Sequence, residues 1–130
     1  MKVITIKQPF ASLIASGQKE YEFRTWKTAY RGDILIHAGK SVDQEAMERF
    51  SSSGLDCPLG CILAKATLTD CVFIDENIKQ ALSTKNSAVY WGITSDPGWK
   101  GYGFKLENIE KIDPIPINGK LGLWEYDYTD

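Results

Sequence analysis

The octet Gly17-Gln18-Lys19-Glu20-Tyr21-Glu22-Phe23-Arg24 gathers the residue types best suited to chemistry in this chain. Lys19 and Arg24 bring local positive charge, and the planar donor fork of an arginine matches a phosphate or a base edge. Glu22 accepts from an amino group such as that of cytosine, and it would repel a phosphate set beside it. The mixture favours a base or nucleoside over a bare phosphate. A plainer reading makes Glu20, Glu22 and Arg24 a solvated strand face whose cross-strand ion pairs each contribute well under about 1 kcal/mol.

Aromatic residues form a second constellation, because unpaired bases are held by stacking on aromatic faces. Trp26, Tyr30, Trp91, Trp99, Tyr102 and Trp124 are the candidates. Trp26 is favoured, since it follows Arg24 in a loop with Lys27 and Arg31; Trp124, within an apolar strand, reads as core. His37 is the only histidine. That removes acid–base catalysis by paired histidines, and a lone histidine on an apolar strand is more often a hydrogen-bonded core residue. Cys57, Cys61 and Cys71 lack the second close pair of a structural zinc site, so no metal and no cofactor is expected. Neither a nucleophile-elbow serine nor a glycine-rich phosphate loop is present.

Composition sets the frame for these groups. A chain of 130 residues is expected to form one domain over 1–130. Three cysteines, an odd number, point to free thiols in a reducing compartment. With no apolar run near the roughly 20 residues that cross a bilayer, and no apolar signal region at the start, the chain reads as cytoplasmic without a membrane partner. The net charge of −2 excludes a broad basic face that would grip any phosphate backbone. Any polyanion is then bound locally.

The elements that must carry the octet are short and mixed. Lys2–Lys7 alternates as a strand, with Val3 and Thr5 on one side and Ile4 and Ile6 on the other. Pro9 opens a helix bearing Phe10, Leu13 and Ile14, and Gly17 fits the C′ position that ends it. In Lys19–Arg24, Tyr21 and Phe23 share one face, expected to be core, while Glu20, Glu22 and Arg24 share the other. An ideal strand points Lys19 and Glu22 to opposite faces, so their convergence requires Lys19 to lie in a turn or on a bulge.

Beyond the octet, Asp33–Ala38 reads as a strand buried on both faces. Ser41 with Gln44 forms a capping-box pattern ahead of a helix carrying Val42, Ala46, Met47 and Phe50. Cys61–Thr69 is a long half-buried strand running into Asp70, and Asp75 caps a short helix with Ile78, Ala81 and Leu82. Thr84–Gly101 has no clear assignment apart from a turn at Asp96-Pro97-Gly98. Tyr102–Glu110 and Gly122–Tyr126 read as strands, separated by Pro114, Pro116 and an Asn118-Gly119 turn. The expectation is an α+β fold of about six strands with two or three short helices, closing into a small mixed barrel.

The spacing G-x-K-x-x-E-x-R, here Gly17, Lys19, Glu22 and Arg24, resembles the signature of the ASCH domain, a branch of the PUA-like β-barrels. IKQPFASLIASG before it, TWKTAYRGDILIHAGK after it and the closing PIPINGKLGLWEY resemble the corresponding parts of bacterial and phage ASCH proteins, so the likeness spans nearly the whole chain. It implies a pseudobarrel with a cleft beside the signature, RNA recognition and, in a few members, hydrolysis.

Some small ASCH proteins remove the acetyl group from N4-acetylated cytidine with a signature lysine, a threonine three residues later and a distant glutamate. Lys19 matches that lysine, but Glu22 stands in the threonine's place, and an adjacent carboxylate favours the ammonium form of a lysine that would have to be neutral to act as base. A route with Glu22 as base and Lys19 stabilising an oxyanion stays open, as does a ribonuclease using the same two residues. The expected function is therefore binding of RNA or a nucleotide by Lys19, Glu22 and Arg24, with Gln8, Trp26, Arg31, His37 and Asp70 at the rim or behind it. The alternative is a hydrolase of a modified nucleoside or of RNA at the same cleft.

Overall fold

The computed structural model describes residues 1–129. In chain order the elements are β1 (Lys2–Gln8), α1 (Phe10–Ala15), β2 (Tyr21–Arg24), β3 (Gly32–Val42), α2 (Gln44–Arg49), β4 (Cys61–Phe73), α3 (Glu76–Lys85), α4 (Ser87–Thr94), β5 (Tyr102–Pro116) and β6 (Leu123–Glu125). The strands make one sheet in the order β2-β5-β4-β3-β1-β6. β1 and β3 are parallel, with Thr5 beside His37; the other neighbours are antiparallel. The mixed six-strand α+β architecture is as expected. Its barrel-like curl stops short of closure, for β2 and β6 are the two ends of the order.

The curl has a visible cause. The β4–β5 ladder shifts register between Ile62 and Ala64, Lys65 and Thr67, and Leu68 and Asp70, and each such irregularity sharpens local twist. The coiled sheet wraps α1, whose Ala11, Leu13 and Ile14 are fully buried. Alternation along the central strands supplies both packing faces. Ile4, Ile6, Ile34 and Ile36 join Ala11 and Ile14 in one cluster, and Val3, Leu35, Ile62 and Trp124 form another.

Gly17 ends α1 in the way its position predicts. It takes φ +81°, its N–H donates to Ile14 O at 3.0 Å and that of Gln18 donates to Leu13 O at 2.9 Å, the paired bonds of a Schellman stop. The chain is thereby turned back toward the sheet just before the charged octet residues.

Four expectations need correction. The cap of α2 is Asp43, whose carboxylate accepts from Ala46 N at 3.0 Å; β3 runs on through Ser41 to Val42, which pairs with Gln8, so Ser41 is strand. Helices number four among the described residues, because Ser87–Thr94 is also helical, capped by Asn86 through Val89 N at 3.2 Å. Its sequence SAVYWGIT is apolar on nearly every side and shows no stripe for a periodicity reading to find. β5 continues through Pro114 to Pro116, since β2 pairs only with 102–105 and leaves the far half of β5 with a single neighbour, where a missing N–H is tolerated. Asn118 and Gly119 are not a hairpin turn: β5 and β6 are not neighbours, and 117–122 is a loop that crosses the sheet to reach β1.

Candidate functional site

Lys19 precedes β2 and so escapes the strand's alternation. Its ammonium turns inward and donates to the carbonyl oxygen of Tyr21 and to Oε1 of Glu22, the latter at 3.3 Å. The convergence that an ideal strand forbids is achieved by starting the strand two residues later. Three rings surround the nitrogen, with centroids at 4.5 Å (Phe23), 5.6 Å (Phe10) and 5.9 Å (Tyr90), a cation–π environment. Burial holds Lys19 below the usual lysine range; Glu22 pulls the other way, and Arg24 adds to the lowering.

Glu22 is the most buried residue of β2, at 8% exposure, while Tyr21 and Phe23 are only partly covered. This reverses the expected inside and outside of the strand. Tyr21 and Phe23 pack beneath Leu13, Leu82, Val89 and Tyr90 in a smaller cluster under α3 and α4, and the Glu22 face turns into a cleft. A buried carboxylate needs partners, and Glu22 has two. Its Oε2 accepts from Arg24 Nη2 at 2.9 Å, while that same nitrogen donates to Thr5 O at 2.7 Å. Glu20 goes outward and pairs with Lys85 at 2.5 Å.

His37 lies on β3 beside Thr5, 1% exposed. Its Nε2 is 2.7 Å from Ile117 O, so that nitrogen donates, and its ring meets Trp124 edge-on at 5.6 Å. Trp124 in turn donates to Thr5 Oγ1 at 3.0 Å. Gly119 lies close over the pair: a Cβ there would fall 2.7 Å from Thr5 Oγ1 and 2.9 Å from His37 Cε1. Two buried side-chain polar atoms lack a hydrogen-bond partner among the described residues, Arg24 Nε and His37 Nδ1. Such groups are uncommon in folded proteins, and both belong to residues lining one cleft.

That cleft has a volume of about 910 Å³, within the range of small-molecule sites. β1, α1, the octet, the end of β3, α4, Trp99 and the 118–122 loop build it. Its lining holds five basic residues, Lys7, Lys19, Arg24, Lys40 and Lys120, against two acidic ones, Glu22 and Asp43, in a chain whose net charge is −2.

Of the residues singled out from sequence, Lys19, Glu22, Arg24 and His37 meet in this cleft. Gln8 is fully buried behind it, with its amide engaged by Ser12 N (2.9 Å), Ser12 Oγ (2.7 Å) and Pro58 O (2.9 Å). Trp26 packs edge-on against Phe104 at 5.2 Å and does not line the cleft. Arg31 and Asp70 approach each other to 3.8 Å on the surface, also outside the lining, and Arg31 further donates to Thr28 O and Tyr30 O. Sequence reasoning missed Tyr90, Lys7, Lys40 and Lys120. Each is a single residue without a local motif, and only the β1–β3 pairing and the crossing loop bring the lysines to one rim.

The three cysteines are free thiols. Burial pushes Cys57 and Cys61 above the usual thiol range. Among the described residues no helix is long and apolar enough to cross a membrane, and no group of three or more His, Cys, Asp or Glu side chains is placed to hold a metal ion.

Comparison with known proteins places this geometry. The chain is 29% identical over 137 residues to Activating signal cointegrator 1 of Homo sapiens, covering 95% of this chain, and 30% identical to the Mus musculus protein. It spans 22% of the length of those relatives. Among solved structures, ASCH from Zymomonas mobilis superimposes with a TM-score of 0.58 at 22% identity, over 88% of this chain and 72% of that one. A serine-to-alanine variant of the same Zymomonas mobilis protein gives 0.59 at 21% identity, over 89% and 73%. These likenesses carry the fold. Residues 4–117 match the ASCH domain, and the chain belongs to that family.

Proposed function

We propose that this ASCH domain binds RNA or a nucleotide in the cleft lined by Lys19, Glu22, Arg24 and His37. The observation that carries the reading is the charge of the lining: five basic side chains against two acidic ones, within an acidic chain. Such focusing attracts an anion to one place without making the surface as a whole adhere to polyanions. Both oxygens of Glu22 are already engaged by Lys19 and Arg24. The carboxylate therefore organises the two cations, and the objection that it would repel a phosphate weakens. Gln8 buttresses the cleft from behind, and Trp26, Arg31 and Asp70 enter only as contacts for a strand extending past its mouth.

Fluorescence-anisotropy titration with a short labelled single-stranded RNA tests this. Arg24→Gln, which keeps a polar amide but removes the charge and the guanidinium fork, is expected to weaken binding about tenfold or more, in line with a lost charge-assisted contact. A folded Arg24→Gln variant with wild-type affinity would refute the assignment.

One observation favours the second reading, hydrolysis of a modified nucleoside. Burial pushes Lys19 toward its neutral form, the form of an amine that takes up a proton. Incubation with N4-acetylcytidine, with cytidine and acetate followed by chromatography, decides it for that substrate. No product above a Lys19→Met control retires that activity.

A further inference from the structure

Trp99 is the tryptophan that lines the cleft; Trp26, Trp91 and Trp124 do not. Its backbone is held from within the α3 module. Lys79 on α3 is 5% exposed and directs its ammonium to the carbonyl oxygens of Trp99 at 2.9 Å and Asp96 at 3.2 Å. The turn is closed again by Trp99 N donating to Asp96 O at 3.2 Å and Gly98 N donating to Asp96 Oδ1 at 3.0 Å. Burying an ammonium is costly unless acceptors meet it. The ammonium also lies 3.6 Å from Glu76 Oε1 on its own helix, while both of its backbone hydrogen bonds go to one four-residue turn and fix it.

The indole is held as well. A Cβ on Gly101 would lie 2.7 Å and 2.9 Å from carbons of the Trp99 ring, and 2.5 Å from Arg24 O, so glycine lets the ring lie against the backbone beside Arg24. Phe23 meets the indole edge-on at 5.8 Å, and that same phenyl ring is the closest one to the Lys19 ammonium. Trp99 is thus a half-buried apolar plate, rigidly mounted next to the charged groups of the cleft.

Resting on the reading of the cleft as a nucleic-acid site, we infer that Trp99 stacks one unpaired nucleobase and that Lys79 positions it, so the ligand is a single strand or free nucleotide and not a duplex. A duplex hides its base faces, and gripping its paired backbones needs an extended basic surface; five of the chain's 15 lysines and arginines line this one cleft, and the net charge of −2 leaves no basic excess for such a surface. Stacking is blind to the Watson–Crick edge, so Trp99 by itself does not discriminate among bases.

The experiment titrates three labelled RNAs of one length, a single strand, the same strand as a duplex and an abasic strand, with a mononucleotide as competitor. Wild type is expected to prefer the single strand over both others. Trp99→Ala should weaken single-strand binding about tenfold, the usual worth of one stacked base, with Trp99→Phe losing no more than about threefold. Lys79→Met should give an intermediate loss, and neither Trp99→Ala nor Lys79→Met should change binding of the abasic strand. Trp91→Ala, an exposed tryptophan on α4 outside the lining, should match wild type.

Should Trp99→Ala fail to fold, Trp99→Leu keeps the apolar bulk without the π face and carries the same test. Competition by the mononucleotide at similar affinity assigns a free nucleotide as ligand; its failure assigns the strand. Wild-type affinity in folded Trp99→Leu, while Arg24→Gln loses binding, overturns the stacking role and leaves the cleft reading intact. Equal affinity for duplex and single strand also overturns it. Absence of binding to any RNA or mononucleotide overturns the cleft reading itself.

Discussion

Lys19 Nζ sits 3.3 Å from Oε1 of Glu22, three residues further along the chain, with both side chains almost shut off from solvent. The other oxygen of Glu22 holds Arg24, so one carboxylate spaces two cations at the wall of the cleft. Charge is therefore arranged inside this protein, where its loss is felt as stability as well as binding.

Replacing Glu22 by Gln is expected to cost about 3 kcal/mol of folding stability, because removing one partner leaves buried positive charge uncompensated. Urea unfolding of the two proteins measures it. A loss below about 0.5 kcal/mol would mean that the pair behaves as a surface ion pair.

The lowered lysine makes stability depend on alkaline pH in a defined direction. The unfolded chain holds the Lys19 proton up to the ordinary value of 10.5, whereas the folded chain releases it earlier. Between those two points the unfolded state binds more protons, so stability rises with pH. Wild type should thus gain on Lys19→Met as pH climbs toward 10.5, and the contributions of Tyr90 and Lys85, which shift upward, cancel in the difference. Parallel denaturation curves at neutral and alkaline pH would show no such gain if the ammonium were solvated.

Gly119→Ala should lower stability by about 1–3 kcal/mol, the cost of forcing a methyl into occupied space. Its Cβ would press on Thr5 and His37, both of which line the cleft, so RNA affinity should fall with it. Thermal unfolding and anisotropy titration on the same sample check the coupling. A variant that melts like wild type would place the 117–122 loop elsewhere.

Lys40→Gln and Lys120→Gln are each expected to reduce the slope of log K against log salt by about 0.7, the counterion released per phosphate contact on a single strand. Titrations across salt concentrations give the slope directly. Lys120 also lies 5.7 Å from the Trp124 ring centroid, so a structural effect would appear as a lower melting temperature with the slope unchanged.

Much of the fold was legible because local rules act over short distances. Period-two alternation marked β1 and β4, a nearly unbroken apolar run marked β3, Gly17 marked the end of α1, and Asp75 marked the start of α3, where its carboxylate accepts from Ile78 N at 2.9 Å. Missed features depend on neighbours distant in sequence. Ser41 has the composition of a cap, yet the Gln8 pairing at Val42 draws it into a strand. SAVYWGIT lacks a polar face because one side meets Leu13 and Phe23 and another borders the cleft.

The site divides in the same way. Residue identity and spacing alone determined that Lys19, Glu22 and Arg24 belong together, and that Lys19 had to lie off the strand to meet Glu22, since side-chain direction follows from backbone period. Only the tertiary structure decided which face of β2 is buried, that Lys7, Lys40 and Lys120 share a rim with them, and that Trp99 rather than Trp26 faces the cleft. Burial and long-range juxtaposition are set by strand order and loop crossing, and a linear pattern carries no term for either.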